Sequence, residues 1–146
     1  MPVSYSITST PNPGQLEAVD NILDEFNMQH GAMREVQRLG VIAEDDHGQV
    51  IGGAIGRTWG KCCELQQLAV HSGNRSQRMG EKLLQHFEKE AVARGCTLVY
   101  LDTFSFQAPL FYLRCGYRVA LETTGFTKGV IKYTMQKALE SAATEA

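Results

Sequence analysis

Apolar residues recur along the chain at different spacings, and each change of spacing marks an element. A short β-branched stretch, Ser4 to Thr8, predicts a strand, after which Pro11-Asn12-Pro13-Gly14 breaks the chain. Leu16, Val19, Ile22, Leu23 and Phe26 follow at intervals of three and four, predicting a helix that ends near Gly31, with Asn12 and Gln15 placed as a capping box. Val41 to Ala43 and Val50 to Thr58 read as paired strands joined by Asp45-Asp46-His47-Gly48, which carries turn chemistry. Gly52, Gly53 and Gly56 inside the second run point to a bulge or to close approach by another backbone or a ligand. Cys62 to Val70 predicts a further strand, apolar toward its end as a strand covered on both faces is.

From Gln77 the helical period returns, with Met79, Leu83, Leu84, Phe87 and Ala91 on one face and Glu81, Lys82, Glu88 and Lys89 on the others. Arg94 and Gly95 supply a basic last turn and a glycine cap. Thr97 to Leu101 reads as a buried strand, Pro109 to Arg114 as a short helix, and Tyr117 to Glu122 and Val130 to Met135 as the last strands. The order β-α-β-β-β-α-β-α-β-β has no repeat, no low-complexity segment and no linker, and predicts one mixed α/β (α+β) domain over residues 1–146. The small, polar end, residues 141–146, reads as a frayed tail.

Composition narrows the partners. At 146 residues, 43% of them hydrophobic, the chain supports one core. Fourteen basic residues against sixteen acidic ones leave a net charge of -2, so no global field exists to hold nucleic acid. No apolar run approaches the ~20 residues of a membrane span, and Met1 to Thr10 lacks the basic start and apolar middle of a signal peptide. A soluble, cytoplasmic protein without a membrane partner is expected. Cys62, Cys63, Cys96 and Cys115 contain no C-x-x-C pair, and His30, His47, His71 and His86 no H-E-x-x-H pattern, so free thiols and no metal are expected.

The chemistry concentrates in His71-Ser72-Gly73-Asn74-Arg75-Ser76-Gln77-Arg78-Met79-Gly80, a polar loop between an apolar strand and a helix N-terminus. Acidic residues are favoured at that end of a helix, yet Arg75 and Arg78 stand there. Two cations against the positive end of the dipole make sense if an anion such as a phosphate binds between them, with Gly80 allowing close backbone approach. The alternative is two solvated arginines and an ordinary small residue.

This segment, preceded by Leu68-Ala69-Val70-His71, resembles motif A of the Gcn5-related N-acetyltransferases (GNAT), R/Q-x-x-G-x-G/A, with Arg75 and Gly80 at its ends and Arg78 in place of the middle glycine. The run from Ser105 through Ala108-Pro109-Leu110-Phe111-Tyr112-Leu113-Arg114-Cys115-Gly116-Tyr117 is similar to the family's motif B, N-x-x-A-x-x-x-Y-x-x-x-G-F/Y. Ala108, Tyr112, Gly116 and Tyr117 match it, and Ser105 stands where asparagine is frequent. The resemblance implies a central mixed, mostly antiparallel sheet with helices on both faces, splayed between the fourth and fifth strands of the order above, residues 62–70 and 97–101. Acetyl-coenzyme A would enter that gap as co-substrate, its pyrophosphate on Arg75, Ser76, Gln77, Arg78, Met79 and Gly80. Its pantetheine arm would pair like an added strand with Leu68 and Val70, and Ser105, Ala108, Phe111 and Tyr112 would complete its site.

Roles follow from the reaction that the resemblance implies, attack of a neutral amine on a thioester. Tyr112 matches the proton donor to the leaving thiolate, the alternative being a core aromatic. Glu64 lies where some members carry a base, and reads equally as an exposed strand carboxylate. A backbone amide at Leu68 or Val70 would polarise the carbonyl. Phe104 and Phe106 are candidate walls of an acceptor pocket, Asp102 a candidate partner for a cationic amine, and Trp59 either a substrate contact or the closure of a hairpin. Cys115 has no histidine nearby in sequence, and packing is its expected role. The expected function is acetyl-coenzyme A-dependent N-acetylation of a small-molecule amine in a ternary complex. A protein lysine or N-terminal acetyltransferase and a non-catalytic acyl-coenzyme A binding module are the alternatives, and monomer and homodimer are both open.

Overall fold

The computed structural model describes residues 1–140, apart from the side chains of Ser76 and Gln77; the expected frayed tail, residues 141–146, lies outside the described residues. Contacts divide the chain into two units that meet between Glu35 and Val36. The first holds helix α1 (Pro13–Met28) and a 3-10 turn over Gly31–Glu35. The capping box forms as expected: Gln15 N–H donates to Asn12 Oδ1 at 2.8 Å, and Asn12 N–H to Gln15 Oε1 at 3.0 Å. No residue of α1 is buried, since one helix cannot cover its own apolar stripe. The strand expected at Ser4 to Thr8 is not formed. β-branched residues favour extended backbone, but a strand exists only where a neighbour completes its ladder, and this segment has none.

The second unit is an open sheet of six strands flanked by helices. In chain order its elements are β1 (Gln37–Glu44), β2 (Val50–Trp59), β3 (Cys62–Val70), α2 (Met79–Ala93), β4 (Leu98–Phe104), α3 (Pro109–Arg114), β5 (Arg118–Thr123) and β6 (Lys132–Ala138). Across the sheet the order is β1-β2-β3-β4-β6-β5, every pair antiparallel except β3 with β4. The β1–β2 turn forms where the sequence places it, Asp45 Oδ1 accepting the His47 and Gln49 N–H groups at 2.9 Å each.

The core lies between one face of the sheet and α2. Leu39, Ala54, Cys63, Leu65, Val99, Leu101 and Met135 point to that face, and Leu83, Leu84, Phe87 and Ala91 of α2 meet them. The periodic face read from the sequence is thus the buried one, except that Met79 is only partly buried.

Two departures from regular pairing shape the sheet. The partner of β2 passes from Gln67 at Ile55 to Leu65 at Gly56, which leaves Gln66 as an extra, bulged residue of β3. The parallel ladder of β3 with β4 then ends at Leu65 and Leu101, and the rest of the two strands diverges. Gly56 permits the close approach at the bulge: a Cβ there would overlap the Glu64 carbonyl oxygen and lie 2.9 Å from the Phe87 ring. Gly56→Ala should therefore cost about 3 kcal/mol or more of folding stability. Gly40→Ala, whose Cβ would meet only the end of the Ile55 side chain at 3.3 Å, should cost far less. Urea midpoints compare the two, and equal midpoints would contradict the bulge constraint.

Candidate active site

Where β3 and β4 part, two cavities open. One, of about 660 Å³, runs over the N-terminus of α2 and is lined by Leu68, Val70, Gly80 and Phe111 and by the guanidinium-bearing Arg75, Arg78 and Arg114. The other, of about 480 Å³, fills the divergence of the strands and touches Gln66, Asp102, Gln107 and Tyr112. Leu68 and Ala108 line both, so the cavities meet there.

Each wall has a local cause. His71 caps a 3-10 turn over Ser72–Gln77, its ring accepting the Gly73 N–H at 3.3 Å. Arg75 folds back, its Nε donating to the Val70 carbonyl at 3.2 Å. Arg78 then takes the left-handed conformation, φ 56° and ψ 27°, at the N-cap of α2. Glycine adopts this conformation freely, whereas it costs an L-residue about 1–2 kcal/mol. Its side chain is turned to solvent beside Glu81, Nε to Oε2 at 3.4 Å. Arg78 makes no side-chain cap, so the first N–H groups of α2 have no capping side chain and face the cavity mouth with the positive end of the dipole. Gly80 leaves bare backbone between Phe111 and Val70, where a Cβ would sit 3.7 Å from the Phe111 ring. Three guanidiniums against the single carboxylate of Glu81, an apolar floor, and a strand edge without a ladder partner suit a long ligand that is anionic at one end.

Arg114 was not singled out by sequence reasoning. The signal was present: it lies three residues after Phe111 and hence on the same face of α3. Ser76 and Gln77 lie outside the described side chains. Met79 packs toward the core, its sulfur near Gly52.

Tyr112 borders the second cavity and is 7% exposed. Burial pushes its phenol up to about 12, with a smaller push from Cys115, so it carries its proton at neutral pH. Phe111 and Tyr117 meet its ring edge-on, at centroid distances of 5.2 and 5.6 Å. Burial raises the Cys115 thiol, aided by Glu81 and Glu88, which disfavours a thiolate nucleophile.

The other expected residues are spread more widely. Asp102 reaches the second cavity, where it accepts from Thr134 Oγ1 at 2.6 Å and faces Lys132 Nζ at 3.6 Å. Glu64 accepts from Arg57 Nε at 3.0 Å and is not among the residues lining either cavity. Phe104 and Phe106 stack at 5.7 Å, with Phe126 edge-on to Phe104, beside the cavities and not in their walls. Ser105 spends its hydrogen bonds on Ile131: its Oγ accepts the Ile131 N–H at 3.0 Å, and its own N–H donates to the Ile131 carbonyl at 2.8 Å. Trp59 pairs with Cys62 at the end of β3 remote from Val70, where it closes the hairpin.

The chain belongs to the GNAT acetyltransferase family, whose acetyltransferase (GNAT) domain matches residues 37–119, from the start of β1 into β5. It is 29% identical over 107 residues to the blasticidin-S acetyltransferase of Streptomyces morookaense, covering 73% of this chain and 79% of that one. It is 31% identical over 101 residues to an acetyltransferase of Agrobacterium fabrum strain C58, covering 69% and 74%. The crystal structure of an acetyltransferase from Bacillus cereus ATCC 14579 superposes with a TM-score of 0.73 at 26% identity, covering 92% of this chain and 98% of that one. The fold expected from the motifs, an open and mostly antiparallel sheet of mixed α/β class, is thereby shown. No helix among the described residues is long and apolar enough to cross a membrane.

The buried acids of this region set a pH dependence. Burial pushes the Cys63 thiol from 9.0 to about 12 and the Tyr112 phenol from 10.0 to about 12. The unfolded chain releases these protons near 9 and 10, while the folded chain holds both to about 12. Their contribution is therefore fully present below about pH 9 and is lost as pH rises toward 12. Thermal midpoints from about pH 8 to pH 11 should fall with rising pH; a flat series would contradict the burial of these groups.

Proposed function

We propose that this protein transfers the acetyl group of acetyl-coenzyme A to the primary amine of a small molecule, by direct attack in a ternary complex. The meeting of the two cavities at Leu68 and Ala108 carries the reading. It joins an arginine-lined channel with an apolar floor on one side to a polar pocket bordered by a protonated phenol on the other.

Arg75, Arg78 and Arg114, with the N-terminus of α2, would hold the phosphates, while the open edge of β3 offers main-chain hydrogen bonds to an extended arm. The thioester supplies an activated acyl group. An amide N–H at Leu68 or Val70 would polarise its carbonyl, and Asp102 would receive a cationic acceptor. As the amine nitrogen forms its bond to the acyl carbon and the carbon–sulfur bond breaks, Tyr112 Oη gives a proton to the departing sulfur. The amine's proton leaves through water; Glu64, which lines neither cavity and is held by Arg57, would receive it only through such water. The name of the blasticidin-S acetyltransferase supports a small-molecule acceptor.

Free thiol release across a panel of amines tests the proposal. Binding of acetyl-coenzyme A without amine-dependent thiol release would make the chain a binding module instead. Tyr112→Phe should lower kcat by about 10²-fold or more and leave the acetyl-coenzyme A Kd nearly unaltered, because the hydroxyl acts on charge that develops late. A parental kcat, with chemistry rate-limiting, would reassign Tyr112 to packing. Arg114→Ala should weaken acetyl-coenzyme A in calorimetry but not an acetyl-pantetheine lacking the nucleotide; equal effects on both ligands would remove Arg114 from the phosphate site.

A further inference from the structure

We infer that Glu88 and Tyr117 are positioning residues that hold the Tyr112 phenol in register with the seam between the strands, an inference that rests on the proton-donor reading of Tyr112. The sequence pattern assigns Glu88 to a polar face of α2, yet its side chain is only 14% exposed. Both of its oxygens are engaged from other elements. Tyr117 Oη, just before β5, donates to Oε2 at 2.7 Å, and Lys137 Nζ, on β6, donates to Oε1 at 2.9 Å.

A carboxylate this well buried must recover its lost hydration through such bonds, and the same bonds fix what they touch. Here they fix Tyr117, which is 3% exposed. Lys137 Nζ also lies 5.6 Å from the centre of its ring. Tyr117 in turn reaches Tyr112 twice: its ring meets the Tyr112 ring edge-on, 5.6 Å away at 71°, and its N–H donates to the Tyr112 carbonyl at 2.9 Å. Phe111 holds the neighbouring side of the phenol. Nothing in the proposed chemistry uses Glu88 directly, and it lines neither cavity. The Tyr117 ring by itself supplies the edge-on contact with Tyr112. The hydroxyl adds the bond to Glu88, which ties the ring to α2. A displacement near 1 Å at a reacting group can cost about 10²-fold in rate, so a lost tether is measurable without loss of the fold.

The experiment combines Tyr117→Phe and Glu88→Met, singly and together, in the parent and in Tyr112→Phe, with kcat corrected for the active fraction by calorimetric stoichiometry. Each single change should lower the parental kcat about 10-fold, leave the acetyl-coenzyme A Kd within about twofold, and lose no more when the two are combined. In the Tyr112→Phe background neither should lower kcat further, because no hydroxyl remains to be placed. A purely structural role would lower kcat equally in both backgrounds, and that result would overturn the inference, as would a parental kcat in Tyr117→Phe. Glu88→Met leaves every aromatic ring in place, so a folding failure of one variant does not prevent the comparison. A parental kcat in Tyr112→Phe alone would overturn the donor reading itself, which is a separate outcome.

Discussion

The site depends on one backbone constraint, the contact of β2 with β3 at Gly56. Because residue 56 has no Cβ, the Glu64 carbonyl and the Phe87 ring can both close on it. That contact accommodates the extra residue, Gln66, on β3. A bulge bends its strand and increases the local twist, and one residue before it the parallel ladder to β4 ends. A regular β3 could continue the ladder to Leu68, opposite Phe104 at the end of β4, and close the gap. The cavities, the open strand edge and the position of Tyr112 beside them all follow from that early end to the ladder.

Charge is distributed along the gap according to hydration. At the mouth, Arg75, Arg78 and Arg114 remain near solvent, where guanidiniums keep most of their hydration. Deeper in, the titratable groups are phenols and thiols, and burial holds them neutral. Glu88 is the exception, a nearly buried carboxylate stabilised by one hydroxyl and one ammonium. On the sheet face away from α2 the acids are already paired, Glu64 with Arg57 and Asp102 with Lys132. In the proposed reaction a cationic acceptor would have to compete with Lys132, a residue on β6, for Asp102.

Much of the fold was legible along the chain because its signals are local. Periodicity located α2, α3 and β3, the Asn12 and Gln15 pair located the start of α1, and the resemblance of the two motifs to those of the family implied the strand divergence. Arg75, Gly80, Ala108, Phe111 and Tyr112 were named from the resemblance of the two motifs, and the fold brings all five to the walls of the cavities. Gly52, Gly53 and Gly56 flagged a close approach without saying which of them made it.

Only the tertiary structure decided the rest, because each remaining question concerns partners distant in sequence. Ser4 to Thr8 has the composition of a strand and no ladder partner. Ser105 carries a polar side chain at a motif position, and Ile131 occupies it. Trp59 sits at a hairpin end whose distance from the site depends on the length of β3. Arg114 was not singled out and Glu88 was assigned to a polar face, yet one lines the first cavity and the other is nearly buried against Tyr117 and Lys137, from 29 and 49 residues away. Periodicity states which face of a helix a residue occupies; burial, pairing and the proton affinity of a group are properties of whatever the fold brings against that face.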